Sequence, residues 1–142
     1  MATLSPRLQM IVDALPLRPG MRVLEIGCGP GAAARAIAQR VGGGFVLAID
    51  RSARAIDAAI SASRDLVAAG SLQFRHVAAE DLELNAGEKP FDLALAVRVG
   101  AFDGRHPAAG ELAKKRLRSV LRPGAPFYID GGDPLRRIPL DD

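Results

Sequence analysis

Residues 23 to 31 read V-L-E-I-G-C-G-P-G, an apolar run closed by three alternating glycines, Gly27, Gly29 and Gly31. No other segment constrains the fold so tightly. Val23 to Ile26 has the length and composition of a buried strand, and the glycines permit the positive φ of a sharp turn into a following helix. Such a turn lets backbone N–H groups and a helix N-terminus approach a nucleotide-like ligand with no side chain in the way. A dinucleotide-binding turn has the order G-x-G-x-x-G. Here the order is G-x-G-x-G, and Glu25 stands two residues before the first glycine. A carboxylate at that point suits a cationic ligand better than a pyrophosphate.

The next apolar run, Phe45 to Asp50, again ends in an acid. Asp50 follows Gly31 by nineteen residues, which leaves room for one helix and one strand. A carboxylate there accepts hydrogen bonds from both hydroxyls of a ribose, so an adenosine-type ligand is expected, with the choice between NAD and another adenosyl cofactor left open. The remaining chain alternates in the same way. Ser5-Pro6 is a helix start, and Leu8, Ile11, Val12 and Leu15 form one apolar stripe after it. Strands are predicted at Met21 to Ile26, Phe45 to Asp50, Leu72 to Val77, Phe91 to Val97 and Pro126 to Asp130. Helices are predicted at Ala32 to Arg40, Ala53 to Ala69 and Pro107 to Leu121, with a short helical or irregular stretch near Asp81 to Leu84. This pattern is that of an α/β fold, a Rossmann-like doubly wound parallel sheet of about five strands with helices on both faces. One domain spans residues 1–142, with an N-terminal helix and turn at 1–20 and a C-terminal tail at 131–142.

The glycine turn with its preceding Glu25 resembles motif I of the class I S-adenosylmethionine-dependent methyltransferases. Three later stretches, in the same order as in that family, extend the resemblance over roughly four fifths of the chain. F-R-H-V-A-A-E-D-L, Phe74 to Leu82, looks like the third-strand exit that reads the adenine ring. F-D-L-A-L-A-V-R-V, Phe91 to Val99, looks like the fourth strand, whose end faces the methyl group. L-R-P-G-A-P-F-Y-I-D, Leu121 to Asp130, looks like the turn and fifth strand that close the core. The resemblance implies S-adenosylmethionine as cofactor, with S-adenosylhomocysteine as product. It implies that Glu25, Gly27, Cys28, Gly29 and Gly31 hold the methionyl end, that Asp50 holds the ribose, that Arg51 belongs to the same cofactor site, and that Val97 lies near the methyl group. The position that often carries the adenine-contacting Asp is Ala78 here, so that role passes to Glu80 or Asp81 with the backbone of Ala79. The family usually continues with an antiparallel pair of strands, and residues 131–142 are short for it. An open fifth-strand edge is then covered either by Leu135, Ile138 and Leu140 folding back or by a second subunit.

Methyl transfer needs alignment and exclusion of water, and a general base only for an acceptor of high pKa. The loop after the fourth strand, Val97 to Pro107, holds the catalytic candidates: His106 as base, with Asp103 orienting it or acting itself. The plain alternative is a turn at Asp103-Gly104 with His106 exposed before the helix. Arg98 and Arg105 are candidates for recognising an anionic substrate, solvation being the simpler account of Arg105. His76 reads as a packed or hydrogen-bonded histidine and Cys28 as a small loop residue. No cluster has metal-ligand spacing.

The single cysteine excludes an internal disulfide and points to a reducing, cytoplasmic setting. No apolar run is long enough to span a bilayer. The net charge of +3 is slight, and the cluster Lys114, Lys115, Arg116, Arg118 and Arg122 falls on one predicted helix and the residue just past its end, and reads as its solvated face. With one tyrosine and no tryptophan, nucleic acid is disfavoured as substrate. The absence of an N-P-P-Y type tetrapeptide after the fourth strand argues against amino groups of bases or glutamine as acceptors. The leading expectation is methyl transfer to a small-molecule acceptor, in an open cleft that a homodimer or another partner completes. The competing expectations are a non-catalytic S-adenosylmethionine-binding subunit or sensor and, third, an NAD-binding domain.

Overall fold

The computed structural model describes residues 4–102 and 104–140. In chain order its elements are α1 (Pro6–Ala14), β1 (Arg22–Ile26), α2 (Ala32–Arg40), β2 (Phe45–Asp50), α3 (Ala53–Ala62), α4 (Arg64–Ala68), β3 (Leu72–His76), β4 (Leu93–Ala96), α5 (Pro107–Val120), β5 (Phe127–Asp130) and β6 (Leu135–Arg137). Short 3₁₀ turns occupy Ala79–Asp81 and Gly100–Phe102. The strands form one sheet in the order β3-β2-β1-β4-β5-β6, parallel except for β6. This is the expected Rossmann-like doubly wound α/β sheet. Its strand order reverses between β1 and β4, and ligands of such sheets bind beyond the carboxyl ends of the strands at that reversal.

Alternation along each strand divides the core in two. Val23, Val46, Ala48, Leu93 and Leu95 point to the face covered by α1, α2 and α3. Leu24, Leu47, Ile49, Ala94 and Ala96 point to the other, where α5 seals them with Ala113, Leu117 and Val120. Those three helix positions recur at helical spacing, which leaves the basic side chains of α5 outside the core. Ser5 caps α1 as its sequence suggests, accepting the Leu8 N–H at 3.2 Å, with Pro6 in the first turn.

Two elements depart from expectation. The helix predicted from Ala53 to Ala69 breaks at Ser63, which leaves helical geometry and turns its hydroxyl inward to accept the Arg35 Nη1 donor at 3.0 Å. The tail at 131–142 does more than cover the edge, and the sheet has six strands where about five were expected. Leu135–Arg137 pairs antiparallel with β5, and the Ile138 N–H extends the ladder to the Phe127 carbonyl at 2.8 Å. Ile138 and Leu140 then pack on the α5 side of the core. Deleting residues 132–142 would leave the outer hydrogen-bonding groups of β5 unpaired beside buried Phe127 and Ile129. The truncated chain is expected to self-associate more strongly than the full chain, a difference that light scattering of the two at matched concentration would read.

Candidate cofactor and acceptor site

β1 delivers Glu25 to the α2 side of the sheet and ends one residue later, and the chain then turns through Gly27, Gly29 and Gly31 with φ of +75°, +53° and +88°. The turn is held from within. The N–H groups of Gly27 and Cys28 both donate to the Ile49 carbonyl, at 2.9 and 3.0 Å, and that of Gly31 donates to the Cys28 carbonyl at 3.0 Å. The Gly29 N–H donates to Asp50 Oδ2 at 2.9 Å. Sequence suggested N–H groups turned toward a ligand. Instead, Ile49 and Asp50 at the end of β2 reach across and consume them, so the loop lacks the row of free donors that cradles a phosphate. The glycines still serve close approach, since a Cβ on Gly27 would stand 2.6 Å from Val99 Cγ2. Gly31 faces the Phe74 ring and is the N-cap of α2.

Beneath this loop Glu25 is 2% exposed. The Ala34 N–H faces its carboxylate and favours the ionised form, while Oε1 has no partner. Burial, and after it the negative charge of Asp50, push its pKa up to about 8. A buried carboxyl with an unsatisfied oxygen is costly to keep unless a ligand meets it. Cys28 is buried beside it, its thiol pushed well above the ordinary range by burial and by the charges of Glu25 and Asp50. That thiol donates to the Gly29 carbonyl at 3.5 Å and is no nucleophile.

Two adjoining hollows open at the carboxyl ends of the strands. The smaller, about 350 Å³, is bounded by Glu25, Cys28, Gly29 and Pro30 of the loop and by Ser5, Arg7 and Leu8 of the N-terminal segment. The larger, about 550 Å³, takes Asp50 and Arg51 at the end of β2, Ala79 and Glu80 from the turn after β3, and Val97 to Ala101, Arg105 and His106 after β4. They meet at Gly27, Val97 and Arg98, and so form one two-lobed cleft. A hollow of about 590 Å³ lies at the other end of the sheet, around the turn Pro123 to Ala125, and has no buried unsatisfied group in its wall.

Of the predicted cofactor residues, Glu25, Gly27, Cys28, Gly29, Asp50, Arg51, Ala79, Glu80 and Val97 line the cleft. Gly31 lines neither lobe. Asp81 also falls outside, because successive side chains of a 3₁₀ turn diverge by a third of a turn and Glu80 takes the inward direction. Asp50 Oδ1 accepts the Ser52 N–H at 2.9 Å, so each of its oxygens holds one backbone donor and keeps a second lone pair for a ligand. His106 stands exposed at the rim of the larger lobe, its ring against Gly100. Asp103, its proposed partner, lies outside the described residues. His76 Nε2 is 3.0 Å from the Arg51 carbonyl, the hydrogen-bonded role expected of it.

Nothing in the sequence pattern marks α1 as a wall of the smaller lobe. The link is tertiary: Asp130 at the end of β5 binds Arg7 Nη2 through Oδ2 at 3.0 Å and the Arg98 N–H through Oδ1 at 2.9 Å. Among the described residues no group of His, Cys, Asp and Glu side chains is arranged to hold a metal ion, and no helix is long and apolar enough to cross a membrane.

The sequence profile described as a methyltransferase domain matches residues 23–124. A protein-L-isoaspartate O-methyltransferase of Methylorubrum populi is 33% identical over 129 residues, covering 91% of this chain and 55% of that protein. The chain thus spans about half the length of this relative. Among solved structures, a SAM-dependent methyltransferase from Aquifex aeolicus superposes with a TM-score of 0.71 at 20% identity, over 89% of this chain and 67% of that one. An S-adenosylmethionine-dependent methyltransferase from Mesorhizobium loti does so with a TM-score of 0.69 at 22% identity, over 88% and 53%. With the glycine loop, the strand-order reversal and the two-lobed cleft, these findings place the chain in the methyltransferase-domain family, with the class I S-adenosylmethionine-dependent methyltransferase fold.

Proposed function

We propose that this protein binds S-adenosylmethionine across the two lobes and transfers its methyl group to a small-molecule acceptor, releasing S-adenosylhomocysteine. The observation that carries the cofactor reading is Glu25, a residue in the wall of the smaller lobe whose buried carboxyl has one oxygen without a partner. The methionyl ammonium is a complementary partner for it. Asp50 offers its remaining lone pairs to the ribose hydroxyls, and Glu80 with the Ala79 backbone flanks the adenine. The self-satisfied loop disfavours a pyrophosphate and hence NAD.

When bound, the cofactor supplies a methyl carbon activated by the adjacent sulfonium. The protein's part is to fix that carbon near Gly27 and Val97, where the lobes meet, and to hold an acceptor in line from the wall made by Val97 to Ala101, Arg105 and His106. His106 is placed to take a proton from an acceptor that has one to lose. Calorimetric titration with S-adenosylmethionine, S-adenosylhomocysteine and NAD in parallel tests the reading. Micromolar binding of the two sulfur ligands and none of NAD is expected; binding of NAD alone would overturn it. A second reading, a cofactor-binding subunit that acts only with a partner, is favoured by the openness of the acceptor side, where His106 and Arg98 are exposed. It separates from the first on whether protein alone forms S-adenosylhomocysteine with any acceptor.

A further inference from the structure

Arg98 is the one non-glycine residue with positive φ among the described residues, at +57°. For a side chain with a Cβ that geometry is strained and persists only where its surroundings impose it. What imposes it here is Asp130. One oxygen takes the Arg98 N–H at 2.9 Å, and the other is anchored to Arg7 at 3.0 Å, so β5 and α1 together pin the backbone just past β4.

The pinned residue stands where the lobes meet, at the end of the strand nearest the transferred methyl group on the reading above. Among the described residues no side-chain partner takes its guanidinium. Arg105 and His106 follow on the same wall of the larger lobe, whereas its described carboxylates, Asp50 and Glu80, belong to the opposite, adenosine-holding side. A strained backbone that carries a cation to a ligand boundary is an arrangement for holding an anion. Arginine is suited to this because its planar fork grips a carboxylate or phosphate through paired hydrogen bonds.

We propose that the acceptor carries an anionic group, a carboxylate or phosphate, that is gripped by Arg98, and that Asp130 is the positioning residue that sets Arg98 for it. The inference rests on the methyltransferase reading of the cleft and names the acceptor's chemical class. An anchor of this kind orients the acceptor whether the anion itself or a neighbouring atom takes the methyl group.

The test uses the full chain saturated with S-adenosylhomocysteine and two probes of matched shape, benzoate and the neutral benzyl alcohol, followed by amide chemical shifts in NMR titrations. Benzoate is expected to shift the amides from Val97 to Gly100 and to bind at least tenfold more tightly than the alcohol. Phenyl phosphate in place of benzoate distinguishes a phosphate site from a carboxylate site. In Arg98→Gly, which suits positive φ and removes the strain with the cation, the preference for the anion is expected to vanish while the melting temperature holds or rises. Asp130→Ala should reduce that preference even where it folds as stably as the parent, which a purely structural role would not do. Equal response to both probes, no response to either, or a preference surviving Arg98→Gly would each overturn the proposal. If S-adenosylhomocysteine itself fails to bind, the cofactor reading falls; the same titrations on the free protein then report separately on anion recognition by Arg98.

Discussion

Glu25→Gln is expected to lose at least tenfold in affinity for S-adenosylmethionine and yet to be more stable than the parent protein above neutral pH. The two effects share a cause. In the folded chain without ligand, burial and Asp50 hold the Glu25 pKa at about 8, against an ordinary glutamate value of 4.5. The folded state therefore binds this proton more tightly than the unfolded state. By linkage, the stability associated with Glu25 is full below about pH 4.5, falls as pH rises toward 8, and levels above it. Each unit of pKa difference corresponds to about 1.4 kcal/mol, so the ionised carboxylate costs the empty fold on the order of a few kcal/mol at pH 8. Glutamine keeps an acceptor for the Ala34 N–H and has no charge to bury. Denaturant melts should thus show the variant gaining about 1–3 kcal/mol over the parent at pH 8, with little difference at pH 5. Equal loss of stability at both values would mean that the carboxylate supports the fold and is not held for a ligand. The same linkage gives a sign for binding. A cationic ligand draws the proton off Glu25, so affinity in the parent should increase from pH 6 to 8 and flatten beyond, and this slope should be absent in Glu25→Gln.

What the sequence carried and what it did not divides along a physical line. Periodicity and glycine spacing are local properties, and they were enough for β1, the turn, β2 and α5, since each is decided by residues a few positions apart. They also placed Glu25 and Asp50 at strand ends, where a parallel sheet brings ligand-binding residues together. The destination of the loop N–H groups was not legible, because the Ile49 carbonyl and the Asp50 carboxylate that take them arrive from the neighbouring strand. The break at Ser63 depends likewise on Arg35, twenty-eight residues earlier. β6 escaped notice because three residues, Leu135 to Arg137, with two charged side chains carry no strand pattern of their own; pairing with β5 makes them a strand. Arg98 was visible as a cation in a loop, but its strained backbone and its tie to Asp130 emerge only when β4 and β5 lie side by side.

Asp50→Ala is expected to weaken S-adenosylmethionine binding by about 2–4 kcal/mol, a factor of roughly 30 to 1,000 in Kd. Two losses combine. The ribose hydroxyls lose a charged acceptor at the end of β2. At the same time the Gly29 N–H, held at 2.9 Å by Oδ2, is left without its partner, so the loop around the methionyl lobe loosens. Loss of the Ser52 N–H contact frees the entry to α3, but Ser52 still caps that helix by accepting the Ala55 N–H at 3.1 Å, so the fold should survive. Asp50→Asn separates the two contributions. Its single carbonyl oxygen can keep Gly29 in place or receive one ribose hydroxyl, and its uncharged amide cannot match the charge-assisted bonds, so an intermediate loss of about 1–2 kcal/mol is expected. Calorimetry with S-adenosylmethionine on both variants, each first shown to unfold cooperatively, checks the ordering parent, Asn, Ala. Wild-type affinity in Asp50→Ala would exclude the ribose role and leave Asp50 a loop anchor. If the Asn variant binds as weakly as the Ala variant, the negative charge itself, and not the geometry of the loop, sets the affinity.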